Sequence, residues 1–171
     1  MATDVATDLP TDLPDKPPAA WEAGGAQPGG PDRLLDTAAL RRLPDPGATP
    51  AGCGCRVLVC AGWESITQPL GAPLLHCLGT LRQPGDDEPP LDEWPGSRYW
   101  AADAPISPSH FPYNRCAVWA CVGCGQGFLQ YTEFGGYYVD HRLRRIDPAQ
   151  VVLPDPRRRC AAGSARLTQV A

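Results

Sequence analysis

The sequence predicts a mainly β domain, with α+β as the alternative class, formed by a small antiparallel sheet and one or two short helices. Two observations favour this class. Short apolar segments alternate with Gly- and Pro-rich turns over residues 56–141, as in a meander of strands. Twelve of the thirteen aromatic residues lie between Trp63 and Tyr138. We therefore expect a single core within about residues 51–155.

The charged residues divide the chain into a domain and two tails. Residues 1–50 hold eight acids and four bases, whereas residues 51–171 hold eleven of each. Residues 1–31 are acidic, rich in Pro and Gly and poor in apolar side chains, which predicts a disordered tail. One globular domain is expected over 32–155 and a flexible basic tail over 156–171. The neutral domain argues against nucleic acid as a partner, since phosphate binding needs a basic surface.

The sequence of the first part of the domain predicts one helix and two strands. In "PDRLLDTAALRRLPDP" the apolar residues recur at helical spacing, with Asp32 as the expected N-cap and Pro44 as the stop. The segment 56–63, "RVLVCAGW", is apolar on both faces and predicts a buried strand. The segment 73–82, "PLLHCLGTLR", predicts a second strand, and a polar Pro-rich loop and irregular aromatic segments follow it.

The pattern over 115–141 predicts an antiparallel meander of three strands. "RCAVWAC" and "FLQYTEF" are strands joined by the tight turn "VGCGQG". Gly135 and Gly136 are expected to form a two-residue hairpin turn with positive φ before the third strand, "YYVDH". Asp147 and Pro148 then form an N-cap and first-turn pair that opens a short helix.

The turn of this meander carries a C-x-x-C-G motif, Cys121-Val122-Gly123-Cys124-Gly125. Two residues between the cysteines let both thiolates reach one ion, and the glycine frees the backbone so that amide N–H groups face sulfur. The motif resembles the zinc knuckle of zinc-ribbon and rubredoxin-like proteins over about residues 121–128. That resemblance implies a zinc-ribbon-like hairpin and a second pair of cysteines that completes four sulfur ligands.

No second C-x-x-C exists, and Cys53-Gly54-Cys55 is the expected substitute. Cys53, Cys55, Cys121 and Cys124 would then form a closed tetrahedral site that joins the start of the domain to its hairpin. The alternatives for the second half are Cys116, His110 and Cys160. Zinc is the expected metal, and iron fits the same four-sulfur set.

The remaining thiols are expected to be core residues. Strand alternation places Cys116 and Cys121 on opposite faces, because they are five positions apart. Cys60 and Cys77 fall among apolar neighbours and are expected to be small core side chains. His76 is expected to be a core histidine with its hydrogen bonds satisfied.

No known catalytic motif is present in the sequence. The single lysine, Lys16, lies in the tail, which argues against Schiff-base chemistry. Asp140-His141 with Glu133, or Cys116 with His110, could serve acid–base or thiol chemistry, but adjacent strand residues face opposite ways.

Six arginines near the C-terminus are expected to form a solvated face, and they could alternatively contact RNA or an acidic partner. They are Arg142, Arg144, Arg145, Arg157, Arg158 and Arg159.

These observations favour a small bacterial, cytoplasmic module, stapled by metal, that binds another protein. The acidic N-terminus has no apolar run, so neither a secretory signal nor a membrane segment is expected. In a reducing compartment, eight cysteines indicate metal ligands and free thiols before disulfides. The alternative is a thiol–disulfide redox protein or a cysteine-dependent enzyme that uses Cys121 and Cys124. Metal content discriminates the two.

Overall fold

The computed structural model describes residues 30–85 and 88–153 and contains a five-stranded antiparallel sheet with the strand order β1-β5-β4-β3-β2. The strands are β1 (Glu64–Ile66), β2 (Leu75–Thr80), β3 (Ala117–Cys121), β4 (Gly127–Phe134) and β5 (Val139–Arg145). The predicted mainly β class is therefore confirmed. The predicted acidic tail, apart from residues 30 and 31, and the predicted basic tail at 156–171 lie outside the described residues.

Within residues 30–85 and 88–153, helical structure is limited to short segments. Helix α1 spans Thr37–Arg41, and 3₁₀ turns lie at Pro46–Ala48, Gly54–Val57, Tyr113–Arg115 and Pro148–Gln150. The predicted cap at Asp32 is wrong: Asp36 caps α1 by accepting the Ala39 N–H at 2.7 Å. The helix starts late because Leu35 is held on the sheet, where its N–H donates to the Thr80 carbonyl. Asp147 caps the last 3₁₀ turn, as predicted. Among the described residues, no helix has the length and apolar content needed to cross a bilayer.

The buried strand predicted at 56–63 is wrong. The segment starts in a 3₁₀ turn and continues as irregular chain, and the strand that follows it is the polar β1. Val57 and Val59 are 78% and 77% exposed, while Cys60 is buried. The local hydrogen bond from the Leu58 N–H to the Cys55 carbonyl bends the backbone at the point where a ladder would have to start. Apolar composition alone did not reveal this bend.

The meander is formed by β3, β4 and β5, with the third strand extending to Arg145, four residues beyond the predicted end. The tip of the β4–β5 hairpin differs from the prediction by one residue. The Gly135 N–H donates to the Tyr138 carbonyl, so Gly136 and Tyr137 lie at the tip. Neither Gly135 nor Gly136 has positive φ. The Tyr138 ring lies against the backbone of Gly135, where a Cβ atom would be 2.3 Å from it, so a larger residue there would require the ring to move.

The sheet has apolar clusters on both faces. We call the side that carries Trp119, Cys121, Phe128 and Leu143 the cysteine face, and the side that carries Val118, Leu129 and Arg144 the arginine face. Segments within 53–74 cover the cysteine face, whereas residues of 35–43, 99–113 and 146–151 cover the arginine face. Cys116 belongs to the cluster of the arginine face, so the predicted separation of Cys116 from Cys121 is confirmed.

A bulge in β2 changes which of its side chains are buried. The pairing with β3 shifts between Cys77 and Gly79, so that Leu75 packs on the cysteine face and Leu78 on the arginine face. Gly79 has a φ of 151°, and a Cβ there would lie 2.1 Å from the Arg33 carbonyl oxygen. Cys77 is only half-buried, so its predicted place in the core is wrong. His76 is half-buried as well, and burial lowers its pKa.

Candidate metal centre

The C-x-x-C-G motif forms the turn between β3 and β4. Cys121 ends β3, and its N–H donates to the Gln126 carbonyl at 2.9 Å. The Gly125 N–H donates back to the Cys121 carbonyl at 2.8 Å, and Gly125 has a φ of 78°. Residues with a side chain rarely adopt this conformation, so the glycine closes the turn at no steric cost. This closure brings the two cysteines to one side of the turn.

The turn also directs amide N–H groups at sulfur. The backbone N–H groups of Cys124 and Gly123 act to lower the pKa of Cys121, and that of Gln126 acts to lower the pKa of Cys124. Such bonds stabilise negative charge on a thiolate and orient it. The amides of the turn therefore favour thiolates at its two cysteines.

The other two cysteines come from the start of the domain. Cys53 precedes the 3₁₀ turn Gly54–Val57, and its carbonyl accepts the Arg56 N–H at 3.1 Å. This turn brings Cys53 and Cys55 to the same side, with their sulfur atoms 3.5 Å apart. The backbone of Gly123 lies over this pair, where a Cβ atom would be 3.4 Å from the Cys53 sulfur. The two segments are therefore in direct contact.

All four sulfur atoms lie within 4.8 Å of one another. The Sγ–Sγ distances are 3.5 Å for Cys53–Cys121 and 3.5 Å for Cys55–Cys124, pairs that are 68 and 69 residues apart. A tetrahedral site with metal–sulfur bonds of about 2.3 Å has sulfur–sulfur edges of about 3.8 Å. The observed spacing is close to that edge, and much longer than the roughly 2.05 Å of a disulfide.

The cluster is shielded on one side and reachable on the other. Cys55 and Cys121 are each 2% exposed, whereas Cys53 and Cys124 are half-buried. Leu75, Phe128 and Leu143 form the apolar side of the surroundings. Four sulfur atoms leave no open coordination position, which is the pattern of structural sites and not of catalytic ones.

Proximity shifts the pKa values of these thiols in opposite directions. Hydrogen bonds from the thiols of Cys124 and Cys55 lower the pKa of Cys121 well below its usual range. The same bonding raises the pKa of Cys124 to about 12, since its proton is held by the Cys121 sulfur, and raises that of Cys55 still further. The cluster thus favours one thiolate that its neighbours share. A metal ion that binds all four as thiolates must displace their remaining protons.

Gln126 was missed by the sequence analysis, although it links the two halves of the site. Its side chain is 1% exposed, and its Oε1 accepts the Thr49 hydroxyl at 3.2 Å, just before Cys53. Its Nε2 donates to the Ile146 carbonyl at 2.9 Å. The only sequence signal for this role was that Gln126, a polar residue, follows the C-x-x-C-G motif directly.

Arg144 was expected on a solvated face, and this expectation is wrong. It is 0% exposed and lies in the arginine face. Its guanidinium donates to the Tyr113 hydroxyl, to the Ala104 carbonyl at 2.7 Å and to Gln150 Oε1 at 2.8 Å. Burial lowers its pKa. Among the described residues no carboxylate forms an ion pair with it. Arg144 therefore holds the irregular segment 99–104 through backbone carbonyls.

The other candidates from the sequence are engaged elsewhere. Asp140 and Glu133 both pair with Arg142, and His141 Nδ1 lies 2.9 Å from the Thr132 hydroxyl. In the second candidate pair, the buried Cys116 thiol donates to the Pro112 carbonyl and its pKa is raised by burial. His110 Nδ1 lies 2.7 Å from the Ser107 hydroxyl. Cys160 and residues 157–159 lie outside the described residues.

Comparisons with protein-family models, with curated proteins and with solved structures give no match. The function of this chain is therefore inferred from its own residues and geometry.

Proposed function

We propose that this protein is a small protein-interaction module whose sheet is stapled to the start of the domain by one zinc ion. The observation that carries the proposal is the cluster of four cysteine sulfurs within 4.8 Å, drawn from two distant segments. A closed four-thiolate site stabilises a fold by joining segments, and it needs no reaction to account for it. The local resemblance of the turn to zinc-ribbon knuckles supports the same role.

Zinc is proposed over iron on chemical grounds. Zinc accepts tetrahedral four-sulfur coordination without redox activity, which suits a purely structural site. Iron would occupy the same geometry. The two metals differ in colour, because an iron–thiolate centre absorbs visible light and a zinc centre does not.

The experiment is elemental analysis of the purified full chain, together with its visible spectrum and the same measurements after cobalt substitution. We expect one zinc per chain and, with cobalt, the absorption bands of a tetrahedral thiolate site. Cys53→Ser, Cys55→Ser, Cys121→Ser and Cys124→Ser should each reduce zinc content. Cys77→Ser is the matched control, because its thiol lies outside the cluster and is half-buried. A metal-free chain with normal stability would contradict the proposal.

The protein-interaction role is supported by the hairpin tip. Phe134, Tyr137 and Val139 are 77%, 104% and 59% exposed, and they adjoin Tyr138, which is 54% exposed. Exposed apolar side chains that are contiguous mark binding surfaces more often than isolated ones do. We propose that the tip contacts a protein, with its aromatic side chains as anchors.

The test compares Phe134→Ser/Tyr137→Ser with Leu91→Ser, an exposed apolar control elsewhere in the chain. A partner recovered with the wild type should be retained by the control and lost by the tip variant. The partner is then purified, and its affinity for the three proteins is measured directly. Equal affinity for the tip variant and the wild type would contradict a role for the tip.

A second candidate function is thiol–disulfide exchange by Cys121 and Cys124. It is favoured by one observation: hydrogen bonds from the thiols of Cys124 and Cys55 lower the pKa of Cys121, which favours its thiolate when no metal is bound. Cys121 is 2% exposed, so a partner would reach the pair through Cys124. A chain that is isolated without metal and that reduces a model disulfide would favour this function over the first.

A further inference from the structure

Two of the four clustered cysteines are reachable from solvent and two are covered. Cys53 and Cys124 are half-buried, whereas Cys55 and Cys121 are each 2% exposed. Each of the two segments therefore contributes one accessible sulfur and one covered sulfur. Because the oxidation of cysteine depends on access to the sulfur, a small reagent from solvent reacts first at Cys53 or Cys124.

Each accessible sulfur touches the covered sulfur of the other segment. The Sγ atoms of Cys124 and Cys55 are 3.5 Å apart, and so are those of Cys53 and Cys121. The sulfur atoms of a disulfide are about 2.05 Å apart, so each pair would have to approach by about 1.5 Å. Rotation about the Cα–Cβ bonds of both side chains shares that movement. The cluster thus holds two pairs of sulfurs that are placed to bond across the segments.

The contact inside the first segment is equally short, but its backbone opposes a bond. The Sγ atoms of Cys53 and Cys55 are also 3.5 Å apart. Only one residue separates these cysteines, so a disulfide between them would close a small ring and carry strain. The 3₁₀ turn holds that backbone in place, because the Arg56 N–H donates to the Cys53 carbonyl at 3.1 Å. A bond between Cys121 and Cys124 would leave only this strained pair for a second disulfide.

Contacts other than those of sulfur also hold the two segments together. The Val122 N–H donates to the Leu74 carbonyl at 3.0 Å, and the Leu74 side chain lies 3.5 Å from the position of a Cβ atom on Gly54. The Thr49 hydroxyl donates to Gln126 Oε1 at 3.2 Å. A sulfur that has been oxidised therefore still has its partner from the other segment beside it, and proximity of this kind accelerates the second step.

We propose that the cluster is a site of oxidation by peroxide, which converts it to the disulfides Cys53–Cys121 and Cys55–Cys124. This oxidation deepens the proposed function and rests on it, because the same four thiolates hold the zinc ion that is released. The two disulfides then join residues 53–55 to the β3–β4 turn in place of the ion. The fold thus keeps its staple when the metal leaves.

Each disulfide consumes one hydrogen peroxide. The Cys124 thiolate attacks a peroxide oxygen, so an S–O bond forms, the O–O bond breaks and hydroxide leaves, which gives a sulfenic acid. The Cys55 thiolate then attacks this sulfur, so the S–S bond forms, the S–O bond breaks and a second hydroxide leaves. The two thiolates lose two electrons and the peroxide gains them. The same steps at Cys53 and Cys121 consume a second peroxide, and zinc leaves as Zn²⁺ because no thiolate remains to bind it.

The experiment adds hydrogen peroxide stepwise to the full chain as purified, and zinc is measured before the first addition and in the filtrate after each one. Free thiols are then alkylated in denaturant, and disulfides are mapped by trypsin digestion and mass spectrometry. Cleavage at arginine places the first two cysteines of the cluster in peptide 43–56 and the other two in peptide 116–142. We expect these peptides to become linked as zinc is released, and fragmentation should assign the two proposed pairs.

Two further measurements accompany the mapping. Cys77→Ser is the matched control, because its thiol is half-buried and lies outside the cluster, and it should give the same linked peptides and the same release of zinc. In a strong chelator, the oxidised wild type should melt at least about 5 °C above the reduced wild type, because a cross-link between distant segments restricts the unfolded chain. Equal melting temperatures would contradict the replacement of the ion by disulfides.

Three results of the mapping would overturn the oxidation site: disulfides confined within single peptides, sulfinic acid at Cys53 or Cys124 without a disulfide, or linked peptides with the opposite pairing. None of them depends on a variant, so a failure to fold cannot obscure the result. A wild type that holds zinc but does not link the peptides would contradict the oxidation site alone. A wild type without zinc before the first addition would contradict the proposed function, and with it the release of zinc.

Discussion

The cysteine cluster and the Arg144 centre lie on opposite faces of one sheet, and both join irregular segments to it. The cluster connects 53–55 to the β3–β4 turn through four sulfur atoms. Arg144 connects β5 to Tyr113, to the carbonyl of Ala104 and to Gln150 through its own donors. In the function we propose, a metal ion completes the first centre, whereas the hydrogen bonds of the second lie within the chain. The two faces should therefore lose stability under different conditions.

The largest effect should come from removing metal from the cysteine face. Structural zinc contributes apparent binding energy on the order of 10 kcal/mol, which is comparable to the stability of a whole domain. Thermal melts with a strong chelator should therefore show a large loss of stability, and Cys121→Ser should behave like the chelated wild type. Equal melting temperatures with and without chelator would show that the cluster is not a metal staple.

Substitution of Arg144 should give the next largest effect, with the metal retained. Arg144→Met keeps much of the volume but leaves the Ala104 carbonyl and Gln150 Oε1 without their buried donor. A buried neutral acceptor that loses its donor costs about 1 to 3 kcal/mol. Denaturant unfolding should report that loss while zinc per chain is unchanged. Arg145→Met is the control, since Arg145 is only half-buried. Loss of zinc in Arg144→Met would mean that the two faces are coupled.

These two centres also differ in how far the sequence could predict them. The spacing Cys121-x-x-Cys124-Gly125 is a local signal, and the glycines around Cys53 and Cys55 are local as well. Nothing local distinguishes Arg144 from Arg142 or Arg145, because its burial is set by the irregular segment 99–113 that covers the arginine face. The strand wrongly predicted at 56–63 has the same cause, since its local sequence does not show how the segment packs. Its apolar residues indicated burial, but the turn at Gly54–Val57 exposes Val57.

High pH should weaken the arginine face. Burial raises the pKa of Tyr113 to about 12, from about 10 in an unfolded chain. A raised folded-state pKa gives stability that is present below about pH 10 and is lost as pH rises toward 12. A shift of this size corresponds to a loss on the order of 3 kcal/mol. Tyr113→Phe should be less stable at pH 8, because Arg144 loses an acceptor, but should lose less between pH 10 and pH 12. Parallel curves for the two proteins would contradict this assignment.

The smallest effects should come from the two thiols near the cysteine face that are not in the cluster. Cys60 is 2% exposed and packs with Cys55 and Cys121, whereas Cys77 is half-buried on the edge strand. Cys60→Ala should cost about 1 to 2 kcal/mol as a small cavity, and Cys77→Ala should cost less than about 1 kcal/mol. Both variants should keep one zinc per chain, measured by elemental analysis beside a denaturant melt. The pair tests the boundary of the cluster, because Cys60 shares its apolar surroundings without sharing its sulfur contacts. If Cys60→Ala lost zinc while Cys77→Ala kept it, the apolar packing around the cluster, and not the four sulfurs alone, would determine metal affinity.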